Sequence, residues 1–158
     1  MKRIAGWLMV LVIVFSLAAA SAASTQWVSC PEGGFSVKLP EKFREQEIDS
    51  RSDPDLCFFW SGTYLQVMAY ASYQGEIGVT DLFVVLTGNE TEDYYDTING
   101  MDMRCIRSEE GSAITVTYTW MDMGNNVTLE FHYHADDPSS VPDTVSSIMK
   151  SITFDAVR

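Results

Sequence analysis

The chain has 158 residues, of which 46% are hydrophobic, and its 22 acidic and 10 basic side chains give a formal net charge of −12. The length is typical of one domain. The acidic balance argues against nucleic-acid binding, because phosphate recognition requires clustered Lys and Arg, and no glycine-rich nucleotide-binding motif is present.

Residues 1–23 have the pattern of a secretory signal peptide. Two cations follow the first Met, residues 4–19 are almost entirely apolar, and residues 20–22 fit the small-x-small cleavage pattern. The apolar run is shorter than the roughly 20 residues that a spanning helix needs, which argues against an uncleaved anchor. We therefore predict a secreted, periplasmic or extracellular protein, with no membrane contact after cleavage, in which residues 24–158 form a single domain.

The first part of this domain is predicted to contain an antiparallel hairpin. Residues 24–34 are interpreted as an irregular lead-in, and apolar residues at every second position predict a half-buried strand over 35–39. The charged residues 41–55 are predicted to form a loop. Two aromatic-rich runs, 56–60 and 63–73, flank Ser-Gly and predict a hairpin whose faces both carry large apolar groups. We expect helices to cover both faces of this hairpin. The alternative is that one aromatic face is exposed and binds a partner.

The middle of the chain gives weaker signals. Residues 80–86 are predicted as a short central helix, with an N-terminal Thr and a following Gly. Residues 89–96 are predicted as an acidic loop. Its four carboxylates could serve as calcium ligands, but their spacing matches no EF-hand, so a solvated loop is the simpler interpretation. A turn at Asn99-Gly100 and a strand over 101–107 follow.

The strongest predicted element is a hairpin of residues 113–122 and 127–135. With Gly124-Asn125 as its loop, Val116 lies opposite Tyr133, and Thr117 lies opposite His132. One face is then apolar throughout and the other polar, a pattern that a one-residue slip would destroy.

The last predicted helix has apolar residues at helical spacing, and an extended tail, 151–154, follows it. These residues are Val141, Val145, Ile148, Met149 and Ile152. The predicted fold class is α+β: an antiparallel meander sheet packed by a short central helix and a C-terminal amphipathic helix.

Two segments carry a family resemblance: GFSVKLPEKF at residues 34–43 and VSSIMKSITF at residues 145–154. They resemble the first strand and the last helix-to-strand segment of the PsbP-like group of α/β sandwiches, which includes secreted bacterial proteins. The resemblance implies an antiparallel sheet flanked by helices. It also implies a non-catalytic subunit or binding protein, because the group has no shared catalytic residues.

The motif that most specifically suggests a chemical function consists of Glu130, His132 and His134, and it includes both histidines of the chain. On a strand, alternate side chains project from one face about 6–7 Å apart. Two imidazoles and a carboxylate can bind zinc or another divalent cation. The alternative is a polar outer face of the hairpin, which the facing threonines support because they add no further ligand.

The three cysteines, Cys30, Cys57 and Cys105, leave one thiol unpaired within the chain or paired with a second chain. Pairing of the strands over 35–39 and 56–60 would place the first two cysteines at opposite ends. This disfavours a Cys30–Cys57 disulfide. Pairs of either residue with Cys105, or no disulfide at all, remain open, so a monomer or a disulfide-linked dimer is expected.

No catalytic motif such as G-x-S-x-G occurs. The sequence therefore favours an exported, non-enzymatic binding or accessory module without a cofactor, which recognises a protein or envelope component. The alternative is a metal-binding protein or metal-dependent hydrolase that uses Glu130, His132 and His134. A weaker third hypothesis is a surface structural protein dimerised by the odd cysteine.

Overall fold

The computed structural model describes residues 24–73, 86–122 and 124–155. The predicted signal peptide and nearly all of the predicted central helix lie outside these ranges. The described residues form ten strands and one helix: β1 (Thr25–Cys30), β2 (Phe35–Pro40), β3 (Arg44–Glu45), β4 (Leu56–Ser61), β5 (Gln66–Tyr73), β6 (Glu90–Ile98), β7 (Met101–Glu110), β8 (Ala113–Asp122), β9 (Asn125–His134), α1 (Ser140–Lys150) and β10 (Thr153–Phe154).

The smaller sheet has three antiparallel strands in the order β1-β2-β10. The prediction of an irregular lead-in was therefore wrong for β1. Val28 and Cys30 are buried, while Trp27 is exposed and packs under the ammonium group of Lys38, 4.9 Å from the ring centre. The strand was missed because it offers only two buried positions, too few to establish a period of two.

The larger sheet has seven strands in the order β3-β4-β5-β9-β8-β7-β6, and every pair in it is antiparallel. The predicted acidic loop over 89–96 was wrong, because it forms most of β6 at the edge of this sheet. Most side chains of β6 are exposed on both faces. An edge strand with few buried side chains has no hydrophobic alternation, so its charge made it look like a loop.

The hairpin of β8 and β9 keeps its predicted faces but not its predicted register. Val116 pairs with Phe131 and Thr117 with Glu130, two positions away from the predicted partners. A shift of two residues leaves every side chain on its original face. The apolar pattern therefore determined the faces, whereas the position of the turn determined the register.

The two sheets and α1 enclose one core. Phe35 of the small sheet contacts Trp120 of the large sheet edge-to-face, with ring centres 5.1 Å apart, and Phe154 contacts the same indole at 5.8 Å. Helix α1 adds buried side chains to this core: Val141, Val145, Ile148 and Met149. No helix in the described ranges is long and apolar enough to span a membrane.

Candidate functional site

The predicted histidine strip lies on β9, on the face opposite the inter-sheet core. Glu130 and His132 contact each other directly, with Oε2 and Nε2 3.1 Å apart. The other ring nitrogen of His132, Nδ1, lies 3.2 Å from the hydroxyl of Thr115 on the neighbouring strand. A hydrogen bond at Nδ1 orients a histidine for ligation through Nε2, so the facing threonine is a positioning partner rather than an inert neighbour.

His134 lies at the exposed end of the same strip. Its Nδ1 is 3.5 Å from the Ser112 hydroxyl, and its backbone N–H donates to an Asp137 carboxylate oxygen at 2.7 Å. Both histidines line an open groove of about 420 Å³, together with Tyr64 and Asp137. The strip thus presents a contacting Glu–His pair, with a second imidazole at the groove.

A different group of side chains converges more closely. Within the described ranges, one trio of potential metal ligands has its ligand atoms within 4.8 Å of one another: Cys30, Glu32 and Cys57. Cys30 ends β1 and is fully buried. Cys57 lies in a β-bulge of β4, between Leu56 and Phe58, and is partly buried. A bulge re-aims a side chain, and here it accompanies the approach of the two thiols.

This proximity corrects the prediction that Cys30 and Cys57 lie far apart. That prediction assumed that the strands over 35–39 and 56–60 pair, but β2 and β4 belong to different sheets. A hydrogen bond from the Cys30 thiol lowers the pKa of Cys57, and the same bond together with burial raises the pKa of Cys30. Cys105 lies on β7 and is buried, and burial raises its pKa to about 11. Cysteine spacing contained no signal for this arrangement.

A second candidate surface, the β6 edge, consists of the outermost strand β6 and the open groove beside it. The groove has a volume of about 360 Å³ and lies between the sheet and α1. Tyr94 of β6 and Tyr118 of β8 line it, and Pro142 and Val145 of α1 form its other wall. Burial, aided by the nearby Cys105 and Glu92, raises the pKa of Tyr94, so its hydroxyl stays protonated at neutral pH.

The charges of the β6 edge are mainly negative. Asp93 forms a bidentate pair with Arg104, at 2.9 and 2.8 Å, and this hydrogen bonding lowers the pKa of the carboxyl. Arg107 pairs with Glu109 on its own strand. The alternative of a calcium-binding loop is not supported, because successive residues of a strand point to opposite faces and the carboxylates of β6 therefore do not surround one ion.

Comparisons with known proteins bear on the fold. No family model and no curated protein matches the sequence. The structure is similar to the solution structure of cyanobacterial PsbP (CyanoP) from Synechocystis sp. PCC 6803, with a TM-score of 0.65 at 11% identity over 89% of this chain and 98% of that one.

Two more distant similarities were found. A protein from Bacteroides thetaiotaomicron has a TM-score of 0.50 at 14% identity, over 83% of this chain and 48% of that chain, and a variant of the protein Mog1 has a TM-score of 0.48 at 7% identity. At these identities the similarity concerns the fold alone. The PsbP-like architecture expected from the segments at 34–43 and 145–154 is confirmed: this chain has a PsbP-like fold.

Proposed function

We propose that this chain is an exported accessory module that binds an extended, basic segment of a partner protein along the β6 edge. The observation that carries the proposal is that β6 is nine residues long, terminates its sheet, and pairs only with β7 among the described strands. An edge strand presents a row of backbone donors and acceptors to which an extended peptide can add as a further strand.

The side chains of the β6 edge support a basic and partly apolar partner. Tyr94 is 47% exposed and Tyr95 is 70% exposed, on opposite faces of the strand. Aromatic residues are enriched in protein interfaces because they bury large area at little entropic cost. Glu92 and Asp96 flank Tyr94 on its own face, where a partner's Lys or Arg side chains would meet them.

The adjacent groove supplies a place for one apolar side chain of the added strand. Alternate residues of a bound strand point the same way, so the residues two positions before and after this apolar side chain would lie on the same face. Basic residues at those two positions would lie near Glu92 and Asp96. The proposal that the chain is exported rests on the predicted signal peptide, residues 1–23.

The first test is a titration with a short peptide that places Lys, Val and Lys at alternate positions of one face, with Ser at the positions between them, followed by backbone NMR. We expect shift changes concentrated in β6 and in the groove, and an affinity that falls with added salt. Two matched peptides are the controls: one with Glu replacing Lys, and one N-methylated along one edge, which keeps the charge but blocks strand addition.

A charge-reversed variant links the binding to the named residues. Glu92→Lys combined with Asp96→Lys should weaken the basic peptide by at least about tenfold, equivalent to about 1.4 kcal/mol, while the unfolding midpoint changes little. Equal binding of the basic, acidic and N-methylated peptides would contradict recognition by strand addition, as would shift changes confined to another surface.

A second candidate function is metal binding by Glu130, His132 and His134. The direct contact of Glu130 with His132 favours it, since the two groups already lie within reach of one ion. The test is a zinc titration of untagged protein by calorimetry. Binding at one site that His132→Ala abolishes and Thr117→Ala leaves intact would support this function, and unchanged binding in His132→Ala would exclude it.

A further inference from the structure

We propose that Cys30 and Cys57 form an intrachain disulfide that joins the two sheets, and that Cys105 remains a free thiol. The two sulfur atoms lie within 4.8 Å of each other. One belongs to β1 of the small sheet and the other to β4 of the large sheet. This assignment resolves the odd cysteine count within a single chain.

The backbone around both residues holds them in place. Cys30 pairs with Phe35 at the end of β1, and the turn between them returns the chain through Gly33, whose N–H donates to the Cys30 carbonyl at 3.1 Å. A Cβ at Gly33 would lie 2.9 Å from the Cys30 sulfur. Glycine at this position therefore leaves the space that the sulfur occupies.

The two thiols differ in a way that suits stepwise oxidation. Cys57 is partly exposed and has the lowered pKa, so its thiolate can attack a disulfide donor from solvent, such as oxidised glutathione. The attack releases one donor thiol and leaves a mixed disulfide on Cys57. Cys30 then attacks the Cys57 sulfur, and its proton passes to the departing donor sulfur, which leaves as the second donor thiol. Two cysteine thiols are oxidised, and one donor disulfide is reduced to two thiols.

The alternative is that the same trio binds a metal ion, but its side chains fit a metal site less well than a disulfide. A closed structural zinc site uses four ligands, whereas the group contains two sulfurs and the Glu32 carboxylate. Metal binding also requires both thiols as thiolates next to that carboxylate. Complete burial of Cys30 opposes its ionisation. A neutral disulfide places no charge in this interior.

The test is thermal unfolding and peptide mapping of the purified protein after equilibration with oxidised glutathione. We expect one linked peptide pair containing Cys30 and Cys57, and one alkylatable thiol in the denatured chain. The bond closes a loop of about 27 residues, so reduction should lower Tm on the order of 10 °C. Cys57→Ser should lose this dependence on reductant, and the matched control Cys105→Ser should retain it.

Three results would overturn the proposal. One is a linked peptide pair that contains Cys105. Another is three alkylatable thiols after exposure to an excess of the oxidant. The last is a stoichiometric metal ion in freshly purified, untagged protein that Cys57→Ser loses, which native mass spectrometry would show and which would assign the trio to metal binding instead.

Discussion

The inter-sheet contact around Trp120 and the β6 edge lie on the same large sheet, but side chains are packed at the first and exposed at the second. Trp120 is fully buried and its indole contacts the rings of Phe35 and Phe154 in the small sheet, whereas Tyr95 on β6 is 70% exposed. Packing constrains side-chain shape at the first region. At the second, the backbone pairing with β7 holds the strand, and most of its side chains are free to meet a partner.

The largest effect is expected from truncation at the inter-sheet contact. Trp120→Ala removes a fully buried indole, and we expect a loss of about 3–5 kcal/mol in the free energy of unfolding, measured by urea denaturation. The matched substitution on the edge, Tyr95→Ala, should change stability by less than about 0.5 kcal/mol. Comparable losses for the two variants would contradict the division between a packed region and a free one.

A milder substitution separates the contribution of the indole N–H from that of the aromatic ring. The Trp120 Nε1 is buried without a hydrogen-bond partner in the described part of the chain, and a buried unpaired donor is itself destabilising. Trp120→Phe removes this donor and keeps most of the aromatic contact. We expect a loss clearly smaller than that of Trp120→Ala, under about 2 kcal/mol, in the same urea measurement. An equal loss would mean that the retained ring contributes nothing to the contact with Phe35 and Phe154.

Gly33 provides the next test, at the turn that joins β1 and β2 of the small sheet. A Cβ there would meet both the Cys30 sulfur and the Phe35 ring at 2.9 Å. Overpacking of this kind costs about 1–3 kcal/mol, so Gly33→Ala should lower the unfolding midpoint. Gly100 is the control for backbone strain without a clash, because φ there is +87° and an added Cβ would meet nothing within 4 Å. A Gly33→Ala variant as stable as the parent chain would contradict the close packing.

The smallest effect is a pH dependence next to the inter-sheet contact. Burial, followed by the nearby Asp155, raises the pKa of Asp122 above its ordinary value of 3.8. The ionised carboxylate is therefore disfavoured in the folded state, and this cost is present at neutral pH and disappears as the pH falls below 3.8. Asp122→Asn should stabilise the protein at pH 7 by a few tenths of a kcal/mol, because solvent screens the group.

Chemical unfolding of Asp122→Asn and the parent chain at pH 7 and at pH 3 measures this difference. The gain should be present at pH 7 and should disappear at pH 3. A gain of the same size at both pH values would assign the effect to something other than ionisation.

Much of the fold was predictable wherever one side of a strand is buried. The alternation in β2, β5, β8 and β9 predicted those strands and their inner faces, because burial on one side leaves a period of two in the sequence. The acidic β6 was predicted as a loop because the same signal requires a buried face. The histidine strip was placed on one strand face by sequence, but its contact with Thr115 came only from the true register.

The sequence by itself determined the inner and outer faces of those strands that have a clear buried side, since the hydrophobic period reports burial directly. Beyond the two predicted hairpins, only the tertiary structure decided which strands meet. The stacking of the small sheet on the large one brought Cys30 to Cys57 across 26 intervening residues. The order of the large sheet left β6 at its edge. Contacts of this kind depend on how sheets stack and where a strand bulges, and local sequence periodicity contains no information about either.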